Sequence, residues 1–237
     1  MFLVYLVLFH AAWAGWAWCV YPRAVALGTG TLAYAVVSIG IRLVVWVLPV
    51  VVYVRYVDGV DVLTYLKLRQ NWRRGVALGV GFGAIGLVLS VARFGVPHPN
   101  GQVLTWNNVL GTSVVIGLVE ETPYRGFILR KLRERWGAWR AILASSLLFI
   151  GVHVPGWIAL HLLKPDVVAA VFVLGVVFSV LVLASGSLWS AIVVHDLNDF
   201  LGRDGGARSR STPRAPASCA VERWSLFITS RSGRTLR

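Results

Sequence analysis

The chain has 237 residues, of which 57% are hydrophobic and only 14% are charged, and its formal net charge is +13. Soluble domains carry about 25% charged residues. The composition therefore excludes an ordinary soluble protein and predicts an integral membrane protein whose main partner is the lipid bilayer. The basic residues lie mostly in short gaps between apolar runs, which is typical of positive-inside loops and argues against a nucleic-acid partner.

Apolar runs divide the first half of the chain into predicted membrane spans. The first begins at Met1 and, lacking a basic start and a small-residue cleavage site, is expected to be a retained span rather than a signal peptide. Residues 24–56 hold one span, with a second short element as an alternative around Pro49. A basic amphipathic connection follows. A glycine-rich span over residues 75–96 then leads into the turn cluster PHPNGQ.

The second half alternates apolar and basic segments. Residues 109–124 are predicted to enter the membrane and to be followed by a basic amphipathic stretch at the interface. Residues 141–163 and 167–184 are further predicted spans, and residues 188–201 form a short final apolar segment. The sequence thus predicts an all-α, polytopic membrane protein with about six or seven transmembrane helices and an intramembrane polar site.

The domain organisation follows from a change in composition near residue 202. Residues 1–201 are expected to form one membrane-embedded helical domain. Residues 202–237 are a basic tail rich in Arg, Gly, Ser and Pro, which is a composition typical of disorder. Cys19 and Cys219 lie far apart without CxxC spacing, so neither a disulfide framework nor a metal clip is predicted.

Lysine and arginine counts predict the topology only in part. Two basic connections, one before residue 75 and one after residue 125, are expected to lie in the cytoplasm, which agrees with a hairpin between them. Counting the remaining predicted spans places the basic tail on the opposite side of the membrane. This conflicts with the positive-inside rule unless one apolar stretch is re-entrant.

Two adjacent carboxylates, Glu120 and Glu121, end an apolar run in the stretch GLVEETPYRGFILRKL. Ionisable groups inside a span cost ~2.5–3.5 kcal/mol and usually face a cavity or a partner. Glu121 and Arg125 are at i and i+4 on a helix and can pair, which would make Glu121 structural. Glu120 has no cation at that spacing and is the freer carboxylate, able to act as a base. The alternative is a structural salt bridge without chemistry.

Pro123 follows the two carboxylates. It is expected to kink the helix and free a backbone carbonyl, opening a wet pocket at membrane depth.

Two histidines lie on later apolar segments. FIGVHV places Phe149 and His153 at i and i+4, and AIVVHDLNDF places His195, Asn198 and Asp199 at i, i+3 and i+4. One histidine in a span is usually a packing residue. Two histidines together with a carboxylate pair, converging from separate helices, are typical of an intramembrane site.

The other histidines lack this pattern. His10 and His98 have no comparable neighbours in the sequence, and His161 near a span end is expected to be interfacial.

The motifs on these segments, and their order along the chain, resemble those of a known family. EETPYRG is similar to its EExxxR motif, FIGVH to its FxxxH motif and HDLND to its HxxxN/D motif, each on its own apolar segment. The family is the CAAX protease and bacteriocin-processing (CPBP) group of intramembrane proteases, the type II CAAX prenyl endopeptidases. The resemblance covers roughly residues 109–200, with a looser match that extends back to Arg42. It implies an all-helical fold in the cytoplasmic membrane of a prokaryote, and endoproteolysis of a peptide or protein substrate, either prenylated or simply membrane-associated.

The resemblance also implies roles for individual residues. Glu120 matches the glutamate that activates water, and His153 matches the histidine that works with it. His195 matches the residue that stabilises the oxyanion. Asp199 stands where the family often has Asn. The supporting positions are Glu121, Arg125, Phe149 and Asn198, the last lying one residue before the usual amide.

Three questions stay open at this stage. A divalent metal such as zinc could be held by Glu120, His153 and His195, although they come from three segments without HExxH spacing. A catalytically silent immunity or scaffold protein of the same fold is one alternative to the protease. An ion-coupled transporter is another, but the internal repeats expected of a transporter are not evident in the sequence.

Overall fold

The structure is a computed structural model that describes residues 1–94, 105–159 and 161–202. Within these ranges every regular element is helical, and no β-strand occurs. In these described ranges, five helices are long and apolar enough to cross a membrane: Phe2–Val20, Leu32–Val57, Trp72–Ala92, Ala138–Ala159 and Pro165–Ser185. The predicted all-α, polytopic membrane fold is confirmed.

The helices are numbered in chain order. Those of the first half are α1 (Phe2–Val20), α2 (Tyr21–Val25), α3 (Leu32–Val57), α4 (Val62–Tyr65) and α5 (Trp72–Phe94). Those of the second half are α6 (Asn107–Val114, π-helical), α7 (Ile116–Glu121), α8 (Leu129–Trp136), α9 (Ala138–Ala159), α10 (Pro165–Ser185) and α11 (Trp189–Gly202). A π-helical segment, Thr122–Ile128, joins α7 to α8.

The predicted count of about six or seven spans is approximate, and the two segments that carry carboxylates are not among the five candidate spans of the described residues. The five candidate spans found in the described ranges compare with about six or seven expected from hydropathy. Residues 109–124 are divided between α6, α7 and the π-helical segment. Helix α11 has 14 residues in the part of the chain that the structure describes, or about 21 Å at 1.5 Å per residue.

Proline 49 does not interrupt α3, so the optional second element around it is not found. A π-helical turn over Leu43–Val47 ends just before Pro49, and the helix continues beyond it. The wider turn accommodates a residue that has no N–H to donate to the preceding turn.

Helix α11 packs against α5 along a stripe of glycines spaced four residues apart. A Cβ atom on Gly79 would lie 2.8 Å from Cβ of Val193, and one on Gly83 would lie 2.5 Å from Cδ1 of Leu197. Only glycine permits this approach of the two backbones, as in other closely packed membrane helices. The glycine-rich composition of α5 therefore sets the position of α11.

The two basic connections lie at the same end of the bundle, as the hairpin prediction requires. Lys131 of α8 forms an ion pair with Asp58 at 2.8 Å, and Arg130 donates to the carbonyl of Tyr65. Burial, together with the neighbouring Arg133 and Arg130 side chains, lowers the pKa of Lys67. This end of the molecule is strongly basic.

Three sequence predictions lie outside the described residues. They concern the turn cluster over residues 97–102, His98 within it, and the basic tail, of which only Gly202 is described.

Candidate active site

The residues predicted to carry chemistry surround one cavity of about 250 Å³. Its walls come from α1, α2, α3, α6, α7, α9, α10 and α11. Its polar lining includes Glu120, His153, His195, Asn198 and Asp199. The rest is mostly aromatic or aliphatic, including Trp13, Trp16, Trp46, Phe149, Trp157 and Leu174. The structure thus places a small polar cluster inside an apolar cavity, an arrangement common in ligand and active sites.

Glu120 lies between the two histidines. Its Oε2 atom is 3.8 Å from Nε2 of His153 and 3.8 Å from Nε2 of His195. The three residues come from α7, α9 and α11, and the structure brings them together as the sequence predicts. Their catalytic roles stay predictions.

The orientation of His153 is set by its own helix. Its Nδ1 atom is 2.8 Å from the carbonyl oxygen of Phe149, one turn earlier in α9. A carbonyl only accepts hydrogen bonds, so Nδ1 carries the proton and Nε2 of the neutral ring has a free lone pair. That lone pair faces Glu120. Phe149 therefore contributes through its backbone to the i, i+4 pattern seen in the sequence.

Glu121 is fully buried and bonds to two groups at once. Its Oε1 atom accepts from Nη1 of Arg125 at 3.1 Å, so the predicted i, i+4 ion pair is confirmed. The same oxygen accepts from Nδ1 of His195 at 2.7 Å. Sequence reasoning missed this second contact, because 74 residues separate the two side chains. No local pattern signals such a pairing.

Arg125 is held between aromatic rings as well as by Glu121. The centre of its guanidinium lies 4.2 Å from the ring of Phe149 and 5.5 Å from the ring of Phe178. Cation–π contacts of this kind contribute ~2 kcal/mol when desolvated. Phe149 therefore supports the site through its ring, which stabilises the cation that pairs with Glu121.

Asp199 and Asn198 complete the wall near His195. The Asp199 Oδ2 atom lies 3.8 Å from Nε2 of His195, the same ring nitrogen that faces Glu120. Asn198 donates to Oδ1 of Asp199 at 3.3 Å. The carboxylate at the position where the family often has an amide is thus directed at the histidine and is itself held by the neighbouring amide.

Helices α7 and α11 are joined by a contact that the sequence did not reveal. The backbone N–H of Gly117 donates to Oδ1 of Asp196 at 2.8 Å. A Cβ atom on Gly117 would lie 2.6 Å from that oxygen and 2.6 Å from the carbonyl oxygen of Ile192. This close approach positions Glu120 and Glu121 against His195.

The predicted break at Pro123 takes the form of a change in helix type. α7 ends at Glu121, and the chain continues as the π-helical segment Thr122–Ile128, with Pro123 in its first turn. The carbonyl of Tyr124 accepts from the Ser145 hydroxyl of α9 at 3.3 Å. Widened π-helical turns occur frequently at functional sites.

His10 has partners that its sequence context did not indicate. Its ring nitrogens lie 2.8 Å from the carbonyl of Leu6 and 3.2 Å from the carbonyl of Leu148, and the Tyr124 hydroxyl is 3.4 Å away. His10 therefore ties α1 to α9 one residue before Phe149. His161 is exposed, as expected for an interfacial residue.

The proposed metal site stays a hypothesis. Among the described residues there is no group of three or more His, Cys, Asp or Glu side chains arranged to hold a metal ion. Glu121 engages Nδ1 of His195, which leaves Nε2 as the available ligand atom of that ring. The role of Glu120, His153 and His195 as metal ligands therefore stays a prediction.

These features define a class: a polytopic helical membrane protein whose helices enclose a carboxylate–histidine cluster in an apolar cavity. The model of the family described as type II CAAX prenyl endopeptidase, Rce1-like, matches residues 102–201. This range contains all of the predicted site residues, and the resemblance read from the three motifs is confirmed. No curated protein and no solved structure gives a significant match to the chain. The family match supports a membrane-integral peptidase.

Proposed function

We propose that the chain is an intramembrane endopeptidase that hydrolyses a peptide bond with water activated by Glu120 and His153. The supporting observation is the separation of 3.8 Å between Oε2 of Glu120 and Nε2 of His153. This distance is too long for a direct hydrogen bond, but one water molecule can bond to both atoms. Each atom then accepts one hydrogen bond from that water.

The activation step uses the freer of the two carboxylates. Glu120 has no cation at hydrogen-bond distance, whereas Glu121 is engaged by Arg125 and His195. Glu120 takes a proton from the water as the oxygen attacks the carbonyl carbon of the substrate. Nε2 of His153 accepts the second hydrogen bond and keeps the water aligned. Positioned bases of this kind contribute ~10²–10⁴-fold to the rate.

His195 is the donor for the oxyanion. Glu121 bonds to Nδ1, and the carboxylates of Glu120 and Asp199 face Nε2. In the imidazolium form Nε2 carries a proton and can donate to the developing negative oxygen. Because its partners hold the ring in place before the reaction, little reorganisation is required.

The proton that Glu120 took from the water is returned to the leaving group. The tetrahedral intermediate collapses by breaking its C–N bond, and Glu120 returns its proton to the departing nitrogen. The products are a carboxylic acid and an amine, with one water consumed. A single carboxylate thus acts first as base and then as acid.

The cavity lining indicates the kind of substrate. Trp13, Trp16, Trp46 and Trp157 present large apolar surfaces beside the polar cluster. We propose a membrane-associated peptide or protein segment with apolar groups near the cleaved bond, to which a prenyl chain could belong. Aromatic walls favour such groups because they remain out of water.

The test is cleavage by the full-length chain in detergent or nanodiscs. A library of quenched fluorescent peptides with apolar segments serves as substrate, and mass spectrometry identifies the products. Glu120→Gln and His153→Ala should each lose ~10²-fold or more in kcat/KM while keeping their melting temperature. Glu134→Gln is the matched control, because this glutamate is exposed on α8, outside the cavity.

Two outcomes would contradict the proposal. One is cleavage by Glu120→Gln at the wild-type rate. The other is no cleavage of any peptide by a well-folded wild-type protein, which would favour the silent-scaffold alternative.

A further inference from the structure

Arg42 is a cationic side chain that lines the cavity but has no role in the proposed chemistry. Arg42 lies well inside the span Leu32–Val57 and is the only Lys or Arg among the described residues that line the cavity. Ionisable residues inside a membrane span are costly and usually mark a functional position. Arg42 also lies outside residues 102–201, so the family match does not account for it.

The guanidinium of Arg42 has spare donors. Its Nη1 atom makes one long bond, 3.4 Å, to the carbonyl of Gly111, and its buried Nε atom has no hydrogen-bond partner. No carboxylate of the described residues forms an ion pair with it, which contrasts with the contact of 3.1 Å between Arg125 and Glu121. An arginine offers five N–H donors, so most of its bonding capacity is available.

The surroundings favour an anionic ligand. Tyr34 and Asn107 line the cavity together with Arg42, and most of the remaining lining is aromatic or aliphatic. A guanidinium in such a setting gains most from a carboxylate, which can bond to two of its N–H groups at once. The carboxylate would also balance a charge that is otherwise expensive at this depth.

We infer that Arg42 determines specificity by binding a carboxylate of the peptide that occupies the cavity. The inference rests on the proposed function, because it takes the occupant to be a peptide. The carboxylate is either the α-carboxylate of a chain end or the side chain of an Asp or Glu near the cleaved bond. In both cases the substrate combines apolar groups with one negative charge.

The experiment compares matched peptides. One pair differs only in a C-terminal carboxylate or carboxamide, and a second pair, amidated at the C-terminus, differs only in Asp or Asn. The ratio of kcat/KM within each pair is measured for the wild type, Arg42→Gln, Arg42→Lys and Arg55→Gln. Arg55 lies on the same helix, is exposed and does not line the cavity, so it is the matched control.

The wild type should prefer the carboxylate member of one pair by ~10–100-fold, since a charge-assisted bond of ordinary strength is lost in the neutral peptide. The pair that shows the preference identifies the source of the carboxylate. Arg42→Gln should bring the ratio close to one, Arg42→Lys should retain part of it, and Arg55→Gln should leave it at the wild-type value. Equal cleavage within both pairs by the wild type, or an unchanged ratio in folded Arg42→Gln, overturns the inference.

A binding measurement separates this inference from the proposed function. Fluorescent versions of the same peptides are titrated into Glu120→Gln protein and into the Glu120→Gln, Arg42→Gln double variant. A carboxylate preference that requires Arg42 supports the inference even where the wild type cleaves nothing. Equal affinities within each pair refute it even where cleavage occurs. If Arg42→Gln does not fold, the inference is tested by the kcat/KM ratio of the wild type within each peptide pair and by the change of that ratio in Arg42→Lys.

Discussion

Glu121 contributes to the site in a second way besides its ion pair with Arg125. The helical spacing predicts a division of labour in which Glu120 performs chemistry and Glu121 holds Arg125. The ion pair is present, but Oε1 of Glu121 also accepts from His195. Glu121 therefore fixes the orientation of a proposed catalytic group, and its loss should affect both folding and cleavage.

We expect Glu121→Gln to destabilise the protein and to slow cleavage together. An amide leaves the buried guanidinium of Arg125 without its counter-charge, and breaking a buried pair costs ~3–5 kcal/mol. It also removes the carboxylate that bonds to Nδ1 of His195. Thermal unfolding in detergent and kcat/KM on a cleaved reporter peptide measure the two effects.

The comparison variant is Glu120→Gln, which should lose cleavage with little change in the melting temperature. Purely structural losses of equal size in both variants would contradict this assignment of roles and favour a scaffold without chemistry.

At the scale of elements, the contact between α5 and α11 decides where half of the site lies. His195, Asn198 and Asp199 all lie on α11. That helix rests on the glycine stripe of α5 and is joined to α7 through Asp196 and the N–H of Gly117. A shift of α11 by even one ångström would alter the distances of 3.8 Å that join His195 to Glu120 and Asp199.

We expect Gly79→Ala to lower both stability and cleavage. The added methyl group would lie 2.8 Å from Cβ of Val193 and 3.0 Å from the backbone carbonyl oxygen of Ser190, so α11 has to move. Such overpacking costs ~1–3 kcal/mol. Gly81→Ala is the matched control on the same helix, because a Cβ there meets nothing within 4 Å. Similar melting temperatures and rates for the two variants would refute this account of the stripe.

The sequence predicts contacts within helices well and contacts between helices poorly. The Glu121–Arg125 pair and the Phe149–His153 spacing both follow from the period of an α-helix, and both occur in the structure. The bond between Glu121 and His195 and the position of His10 beside Tyr124 depend on how separate helices dock. Hydropathy alone also gives an approximate span count, because the segments that carry Glu120 and His195 are apolar but are not among the five candidate spans of the described residues.

At the scale of the whole molecule, the two halves contribute differently to the cavity. The predicted catalytic residues come from the part that matches the family, residues 102–201. Helices α1 and α3, which precede that range, supply Trp13, Trp16, Arg42 and Trp46 to the lining, and other aromatic lining residues such as Trp157 come from within the range. Substitutions in the N-terminal helices are therefore expected to change substrate preference without removing a predicted catalytic residue.

The basic tail is expected to be dispensable for folding. It lies beyond the described residues, and its composition of Arg, Gly, Ser and Pro, with WSLFI as its one apolar stretch, offers little surface to bury. Truncation after Leu201 should leave membrane insertion intact and change the melting temperature in detergent by no more than ~2 °C. Truncation after Gly186 is the contrasting variant, since it removes α11 with His195 and should abolish stable folding. A loss of ~5 °C or more on removing the tail alone would show that the tail packs against the helical domain.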